Sequence, residues 1–346
     1  MRLLGMGFAV PSKRFQSEEL VERLKVRFDV DVRRAARALT KRLGVESRCI
    51  SRDLSARVEA PRSGEGNADL AANALRNALR DAGIGVDDLH YLIAHTATPG
   101  QLIPPNVARI AELIGYDGPF VELRQACTGF ANATIMARGL LDAPGAGPIA
   151  IVGSETGSVY FDPLRVRDDQ GQLVNMMQMG DAAAACIVAP FNSREDAATL
   201  SHLYFGQVGR QRAPGFKLAS GGSDAPSIEH AVLEFQHDYV AVRESGPILF
   251  REGIAAARAL DLDIHAVDYL LPHQANGKMA ELLSDAVGVP ASRIFVNADR
   301  YGNTGSAAIW LALTELRQRL RAGERALVLG AEATKHMFGG FLYTHA

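Results

Sequence analysis

The stretch RQACTGFA, residues 124–131, resembles RYGNTGSA, residues 300–307, at an offset of 176 positions. The second copy carries Asn303 where the first carries Cys127. A repeated phrase of this kind predicts that two parts of the chain fold in the same way. The prediction of a duplicated fold therefore requires that other segments repeat at the same spacing.

Two further pairs of segments repeat in the same order. DLHYLIAHTATPG (88–100) matches AVDYLLPHQANG (266–277) at an offset of 178. PIAIVGSETG (148–157) matches RALVLGAEAT (325–334) at an offset of 177. All three offsets are close to half of the 346-residue chain, so the sequence predicts an internal duplication.

Both halves show the same order of helix and strand patterns. Helical segments with apolar residues at i, i+3 and i+4, such as 69–83 and 246–262, alternate with short apolar runs typical of strands covered on both faces. This alternation predicts α/β layers with mainly parallel strands. We place the first half at residues 1–190 and the second at 191–346, packed about a pseudo-twofold axis. Loops at equivalent strand ends would then meet.

Composition and cysteine usage narrow the class of protein. The chain is 47% hydrophobic and 22% charged, with a formal net charge of −2, which disfavours a dedicated nucleic-acid binder. No run reaches the roughly 18 apolar residues of a membrane span, and the start lacks a signal-peptide layout. Cys49, Cys127 and Cys186 are widely spaced without a CxxC motif, which disfavours both disulfides and a zinc site. We expect a cytoplasmic protein with neither nucleic-acid nor membrane partner and no metal.

Positive charge is concentrated in residues 23–62. A solvated helix face is the ordinary explanation, and a landing surface for a phosphate-bearing or acidic partner is the alternative. The basic residues are Arg23, Lys25, Arg27, Arg33, Arg34, Arg37, Lys41, Arg42, Arg48, Arg52, Arg57 and Arg62.

Cys127 is a candidate nucleophile because a helix is predicted to run from about residue 128 to 141. The N–H groups and positive end of that helix would lower the thiol pKa and hold an oxyanion. The alternative is a small buried hydrophobe, the role expected of Cys49 and Cys186.

His273 and Asn303 are candidate partners of Cys127. A histidine can accept the thiol proton or donate a hydrogen bond to an enolate, whereas the Asn303 amide N–H can only donate. Taken singly, His273 fits a core or loop position and Asn303 fits a turn. Because all three follow predicted strands at corresponding ends of the duplicated fold, we expect them to meet in one active site. We expect His95, the counterpart of His273, to be structural.

Four motifs carry a resemblance to a known family. ACTGF (126–130), MGDAAAA (179–185), PHQAN (272–276) and GNTGSAA (302–308) look like those of β-ketoacyl-acyl carrier protein synthase III, the initiating branch of the thiolase-like condensing enzymes. The resemblance covers almost the whole chain in order. It implies a thiolase-like αβαβα sandwich of two duplicated halves, a homodimer, and acyltransferase activity. It also implies CoA or acyl carrier protein thioesters as substrates, without a separate cofactor.

The resemblance also implies a reaction. Cys127 would take an acyl group from a thioester and hold it covalently. A malonyl thioester would lose CO2, its enolate oxygen held by His273 and Asn303, and the carbanion would attack the acyl-cysteine. The oxyanion of this addition would use the Cys127 backbone N–H and one N–H of the C-terminal loop. The product would be a β-ketoacyl thioester.

Five further residues are predicted to bind substrate or carrier. By resemblance, Asn276 would order a water or contact the pantetheine arm, Lys278 would face the carrier protein, and Arg42 would lie at the CoA phosphates. Ile103 and Met179 complete the set, Met179 at the end of a methionine-rich run that borders the expected acyl pocket.

Two departures from the family pattern bear on the substrate. Ala38 stands where the family usually has a tryptophan that stacks on the CoA adenine, which should weaken binding of free CoA esters. AEATKHMFGGF (331–341) replaces a glycine-rich C-terminal loop. A specialised relative in secondary metabolism is therefore at least as well supported as a priming enzyme of fatty-acid synthesis. Acyl transfer to an alcohol, amine or water, and a non-catalytic partner subunit, are the alternatives.

Overall fold

The computed structural model describes residues 1–52, 54, 65–218 and 235–346, so Arg57 and Arg62 lie outside the described residues. The strands are β1 Arg2–Ala9, β2 Arg14–Gln16, β3 Ser47–Cys49, β4 Tyr91–His95, β5 Phe120–Leu123, β6 Ile149–Glu155, β7 Ala182–Ala189, β8 Ala198–Gln207, β9 Phe216–Leu218, β10 Phe235–His237, β11 Tyr269–Pro272, β12 Arg325–Glu332 and β13 Met337–Thr344. The helices are α1 Ser17–Phe28, α2 Arg33–Leu43, α3 Asn67–Ala82, α4 Asn106–Ile114, α5 Gly129–Leu141, α6 Gln170–Gln178, α7 Tyr239–Arg258, α8 Met279–Val287, α9 Ala298–Tyr301 and α10 Ala308–Leu316.

Nine strands form one sheet in the order β11-β12-β13-β8-β1-β7-β6-β4-β5. The first half contributes β1-β7-β6-β4-β5, and the second half repeats this order as β8-β13-β12-β11. A single parallel bridge between Leu270 and Ile294 stands where the second half would have its fifth strand. The two half-sheets join where Arg2 and Leu3 of β1 pair with Thr199 and Ala198 of β8, and hydrogen bonds between Met1 and Leu200 extend this pairing by one residue. The predicted duplication is confirmed, and the boundary at residues 190 and 191 stays a prediction.

The expectation of mainly parallel strands is wrong. Three neighbouring pairs in the large sheet are parallel, namely β4–β5, β4–β6 and β11–β12, and the other five are antiparallel. The reason is visible at β12 and β13, where the chain turns back within residues 333–336. Such a connection is too short for the crossover that parallel strands require.

Helices cover and separate the two half-sheets. Ile93 of β4 and Val328 of β12 point into the central core, where they pack with α5 and α10. Their neighbour Leu92 packs outward against α3 and α4, whereas Leu327 packs outward against α7 and α8. This alternation along each strand buries both faces of each half-sheet. The layers are therefore α3/α4, half-sheet, α5/α10, half-sheet and α7/α8, which confirms the αβαβα sandwich.

A smaller apolar cluster joins α1, α2 and α6 at one end of the sandwich. Helix α2 buries Ala36, Leu39 and Leu43, so its basic side chains face solvent. Arg48 and Arg52 are an exception to the predicted solvated face, because both are fully buried. Arg48 instead donates to the Met176 carbonyl oxygen at 2.7 Å and so holds the end of α6.

Two element boundaries differ from the sequence expectation. Helix α7 begins seven residues earlier than predicted, because Asp238 accepts a hydrogen bond from the Ala241 N–H at 2.9 Å and caps it. Asn303 follows the short helix α9 instead of a full strand. Within the residues that the structure describes, no helix has the length and apolar character needed to cross a bilayer.

Candidate active site

Cys127 lies between β5 and α5, in a turn that packs tightly against His95. It is a free thiol and partly buried. A Cβ at Gly129 would come within 2.5 Å of the His95 Nδ1, so the turn and the imidazole touch directly. The predicted helix behind the cysteine is confirmed by α5, which ends at Leu141 as expected.

Glu332 anchors the start of α5. Its Oε2 accepts hydrogen bonds from the Thr128 backbone N–H at 2.8 Å and the Thr128 hydroxyl at 2.7 Å. The Thr334 hydroxyl donates to the other carboxylate oxygen. A carboxylate at a helix N-terminus is favourable, and here it fixes the residue that directly follows Cys127.

Glu155 has the corresponding place beside the Asn303 loop. Its Oε1 accepts from the Ser306 hydroxyl at 2.5 Å and the Ala97 N–H at 3.0 Å, and the Thr98 hydroxyl donates to Oε2. Burial raises the pKa of Glu155 to about 7 despite these three donors. A proton therefore binds to this carboxylate near neutral pH.

Burial raises the pKa of the Cys127 thiol well above its ordinary value, and Glu332 and Glu155 raise it further. This direction is opposite to the lowering that the helix position predicts. The helix N-terminus is present, but the carboxylate of Glu332 lies against it and offsets its positive potential. Cys127 is a neutral thiol at rest.

His273 directly follows β11 and is buried. Its backbone N–H donates to the Leu329 carbonyl oxygen at 2.8 Å, which continues the pairing of β11 with β12. Burial lowers the pKa of His273 to about 4, so the imidazole is neutral at pH 7. A neutral ring can accept a proton at one nitrogen and donate a hydrogen bond from the other.

The Asn303 amide is oriented by its own loop. Its Oδ1 accepts from the Gly305 N–H at 3.0 Å, which leaves the Nδ2 donors for a substrate oxygen. Its backbone N–H donates to the Gln178 carbonyl oxygen at 2.9 Å, and its carbonyl accepts from the Gly180 N–H at 3.1 Å. Met179 therefore lies beside Asn303 through a backbone bridge.

Cross-loop hydrogen bonds join the loops of the three candidate catalytic residues. The Gln178 side-chain amide donates to the Ala275 carbonyl oxygen at 2.7 Å, two residues after His273. Ser306, three residues after Asn303, places its hydroxyl 3.3 Å from the Gln125 carbonyl oxygen, two residues before Cys127, and shares its single proton between this oxygen and the closer Glu155 Oε1. The three loops are thus held as one unit at one end of the sandwich.

A cavity of about 1260 Å³ opens beside this unit. Arg42, Asn276 and Lys278 line it, together with Gln178 and Ala275 of the cross-loop bonds. Its other charged lining residues are Arg243, Arg251, Arg258, Glu281 and Asp285, so cations outnumber acids. The cavity suits a long ligand with an anionic end.

The remaining predicted binding residues occupy different places. Ile103 is 88% exposed and does not line this cavity. Met179 is partly buried against the α1/α2/α6 cluster.

Two of the residues that line the cavity are held by neighbouring groups. Asn276 uses its Oδ1 to accept from the Lys278 N–H at 2.9 Å, and Lys278 forms a 3.7 Å ion pair with Glu281.

His95 has a structural environment, in line with its expected role. It is fully buried, and the Trp310 Nε1–H donates to its Nε2 at 3.2 Å. Burial lowers its pKa to about 3. Across the described ranges, no cluster of three His, Cys, Asp or Glu side chains could hold a metal ion.

Two residues at the site escaped the sequence reasoning, although a signal for them was present. Glu155 and Glu332 occupy equivalent positions at the offset of 177 that relates residues 148–157 to 325–334. Each ends a central strand of its half, β6 and β12 respectively. A charged residue repeated at the end of two otherwise apolar strands was the available clue.

Comparisons with known proteins agree with this architecture. Family models of 3-oxoacyl-[acyl-carrier-protein (ACP)] synthase III match residues 121–206, and of its C-terminal part residues 257–339. A solved structure titled "AbyA1 - tetronic acid condensing enzyme" superposes with a TM-score of 0.86 at 25% identity, covering 99% of both chains. The fold and the strand-end site define a thiolase-like condensing enzyme of the acyltransferase class.

Similarity to curated relatives defines the family within this class. The β-ketoacyl-[acyl-carrier-protein] synthase III of Deinococcus deserti is 31% identical over 290 residues, 80% of this chain and 75% of the relative. The 3-oxopimeloyl-[acyl-carrier-protein] synthase of Brucella abortus is 26% identical over 347 residues, 96% of this chain and 95% of the relative. The chain belongs to the β-ketoacyl-acyl carrier protein synthase III family.

Proposed function

We propose that this enzyme holds an acyl group on Cys127 and condenses it decarboxylatively with a malonyl thioester to give a β-ketoacyl thioester. The observation that carries the proposal is the pair of cross-loop bonds, Gln178 to Ala275 and Ser306 to Gln125. They hold a thiol, an imidazole and an oriented amide donor in one unit beside a cavity of about 1260 Å³. Each group suits one step of the reaction.

In the first step, the Cys127 sulfur attacks the thioester carbonyl, and the donor thiol leaves. Because the Cys127 thiol is neutral at rest, its proton has to move as the new C–S bond forms. The neutral His273 imidazole has a lone pair that can accept this proton and pass it to the sulfur of the departing thiol. The acyl group is then held on sulfur as a thioester.

In the second step, the malonyl C–C bond breaks and CO2 leaves. The electron pair becomes an enolate, whose oxygen receives hydrogen bonds from the Asn303 Nδ2–H and the His273 N–H. The carbanion carbon attacks the acyl carbonyl, and the Cys127 sulfur departs as a thiolate, which takes up a proton from solvent to restore the thiol. The oxyanion of this addition is held by the Cys127 backbone N–H and a second N–H of the C-terminal loop.

The substrates we propose are thioesters of acyl carrier protein or CoA. The cation excess of the cavity, with Arg42 and Lys278 on its lining, supports a phosphate-bearing arm. Arg34, Arg37 and Lys41 lie at i, i+3 and i+7 on the exposed face of α2, beside that lining. An acidic carrier protein would be attracted to this face.

We also propose a homodimer in the cytoplasm. Strand β5 is at the edge of the large sheet, and its first residue, Phe120, is 40% exposed. An unpaired edge of this kind can pair with a second copy. The three free thiols suit a reducing compartment. Light scattering of the purified protein tests the dimer, and a monomer at micromolar concentration would contradict it.

A second candidate is transfer of the acyl group from Cys127 to an alcohol, amine or water. The likeness to AbyA1, whose title names a tetronic acid condensing enzyme, favours this candidate. A tetronic acid contains a ring ester as well as a C–C skeleton, so an oxygen acceptor is part of that chemistry. Cys127 and His273 would act in the same way in both reactions.

The test is intact-protein mass spectrometry after incubation with a panel of acyl-CoA and acyl-carrier donors. We expect an acyl mass on the wild type and none on Cys127→Ala. Product analysis with a malonyl thioester, and with hydroxyl or amine acceptors in its place, then separates the two candidate reactions. Absence of an acyl adduct with every donor would instead support a non-catalytic partner subunit.

A further inference from the structure

His237 lines the cavity, and the reaction above does not use it. It ends β10 and precedes α7. Arg42, Gln178 and Asn276 line the same cavity, so the ring shares the space in which the substrate arm would lie.

The ring is held in one orientation by a buried amide. The His237 Nδ1 is 2.8 Å from the Oδ1 of Asn175, a fully buried residue of α6. The Asn175 Nδ2 faces the Phe235 carbonyl oxygen at 3.5 Å, which leaves Oδ1 as the acceptor. Nδ1 therefore carries the proton, and Nε2 presents a lone pair. The edge of the Phe216 ring packs against the imidazole at 5.1 Å between centroids.

The surroundings keep the ring neutral. Burial lowers the pKa of His237 to about 4, although the adjacent Asp238 carboxylate acts in the opposite direction. Tyr239 does not supply a donor to the ring, because its hydroxyl donates to the Gln170 Oε1 at 2.6 Å. In the parts of the chain that the structure describes, no hydrogen bond to the His237 Nε2 is present.

We propose that the His237 Nε2 accepts a hydrogen bond from an O–H or N–H group of the thioester in the cavity, and so selects substrates that carry such a donor there. This inference rests on the proposed function, because it takes a thioester as the occupant. The donor has two possible sources: an amide N–H of the pantetheine arm, which all these thioesters share, or a hydroxyl on the acyl chain. A fixed acceptor in the cavity wall discriminates, because a bound ligand that lacks the donor and excludes water leaves it unpaired.

The test compares His237→Phe, which keeps a ring but cannot accept, with His237→Gln, whose amide oxygen can. Both changes are made in the Cys127→Ala background, and binding of butyryl-CoA and 3-hydroxybutyryl-CoA is measured by calorimetry. A neutral hydrogen bond predicts a Kd about three- to tenfold higher in His237→Phe, with partial recovery in His237→Gln. Thermal unfolding confirms that each variant is folded.

The outcomes distinguish the two possible sources of the donor, and they distinguish the role of His237 from the proposed function. Equal weakening for both ligands assigns the donor to the pantetheine arm, and weakening confined to 3-hydroxybutyryl-CoA assigns it to the acyl hydroxyl. An unchanged Kd for both ligands in His237→Phe overturns the role of His237 while the thioester site stands. Failure of the Cys127→Ala protein itself to bind either ligand overturns the role of His237 for CoA thioesters, whereas the proposed function is overturned by the absence of an acyl adduct on Cys127 with every CoA and carrier donor.

Discussion

The loops of Cys127 and Asn303 are two copies of one structure that perform different chemistry. Glu332 of the second half binds Thr128, beside Cys127 in the first half. Glu155 of the first half binds Ser306, beyond Asn303 in the second half. Each carboxylate crosses the pseudo-twofold axis, so each half holds the loop of the other in place.

The two carboxylates, Glu332 and Glu155, hold the opposite loop through different contacts. Glu332 accepts both the backbone N–H and the hydroxyl of Thr128 at the start of α5. From the Asn303 loop Glu155 accepts the Ser306 hydroxyl, and it packs beneath Gly305, where a Cβ would lie 2.6 Å from its Cγ. One loop holds its nucleophile as a neutral thiol under two carboxylates, and the other orients a neutral amide. The duplicated fold thus positions the two loops, and the residue at the equivalent position, Cys127 or Asn303, determines the chemistry of each.

The largest expected effect is that of Cys127→Ala, which removes the chemistry of one loop completely. We expect no acyl adduct and no condensation product, because no other described cysteine is accessible in the site and Cys49 and Cys186 are buried. Intact-protein mass spectrometry measures the adduct. An unchanged acyl mass on the variant would show that another residue is the nucleophile.

Asn303→Ala is expected to remove the second step and preserve the first. The acyl adduct on Cys127 should still form, while condensation falls by roughly 10²–10³, the usual cost of losing one oxyanion donor. Asn303→Asp is the matched control, since it retains an acceptor for the Gly305 N–H but cannot donate. Loss of the adduct in both variants would contradict the division of labour between the loops.

Glu332→Gln and Glu155→Gln should show how much each carboxylate raises the pKa of the Cys127 thiol. Removing either negative charge favours the thiolate, so the pH midpoint of Cys127 alkylation by iodoacetamide should fall, and fall further for Glu332→Gln. Because the pKa of Glu155 is about 7, its variant should differ from the wild type mainly above that pH. Equal midpoints in all three proteins would show that burial alone sets the thiol pKa.

The smallest effect is expected from Gly153→Ala and Gly330→Ala, equivalent glycines beneath the two loops. A Cβ at Gly153 would lie 2.3 Å from the Ser306 backbone oxygen, whereas one at Gly330 would lie 2.6 Å from the Phe130 ring and no closer than 2.8 Å to backbone, at the Gly339 oxygen. We expect each to destabilise the fold by about 1–3 kcal/mol, with Gly153→Ala the worse because backbone yields less than a side chain. Urea unfolding measures both, and the reverse order would contradict this reason.

Much of the site could be predicted because its residues lie on repeated local patterns. Cys127 and His273 follow apolar runs that are strands in the structure, and the repeat relates Cys127 to Asn303. The same reasoning gave the wrong direction for the Cys127 pKa, because it considered the helix but neither the burial of the thiol nor the carboxylate of Glu332. Thr128 and Glu332 are 204 positions apart, so no local pattern relates them.

The sequence by itself determined the α/β class, the duplication, the helix that follows Cys127 and the set of motifs, because periodicity and repetition are properties of the chain. Only the tertiary structure decided which strands run antiparallel, which glutamate anchors which loop, and that Asn175 orients His237 toward a cavity. The physical reason is that burial and electrostatic potential depend on every group nearby in space. Most of those groups come from the other half of the chain.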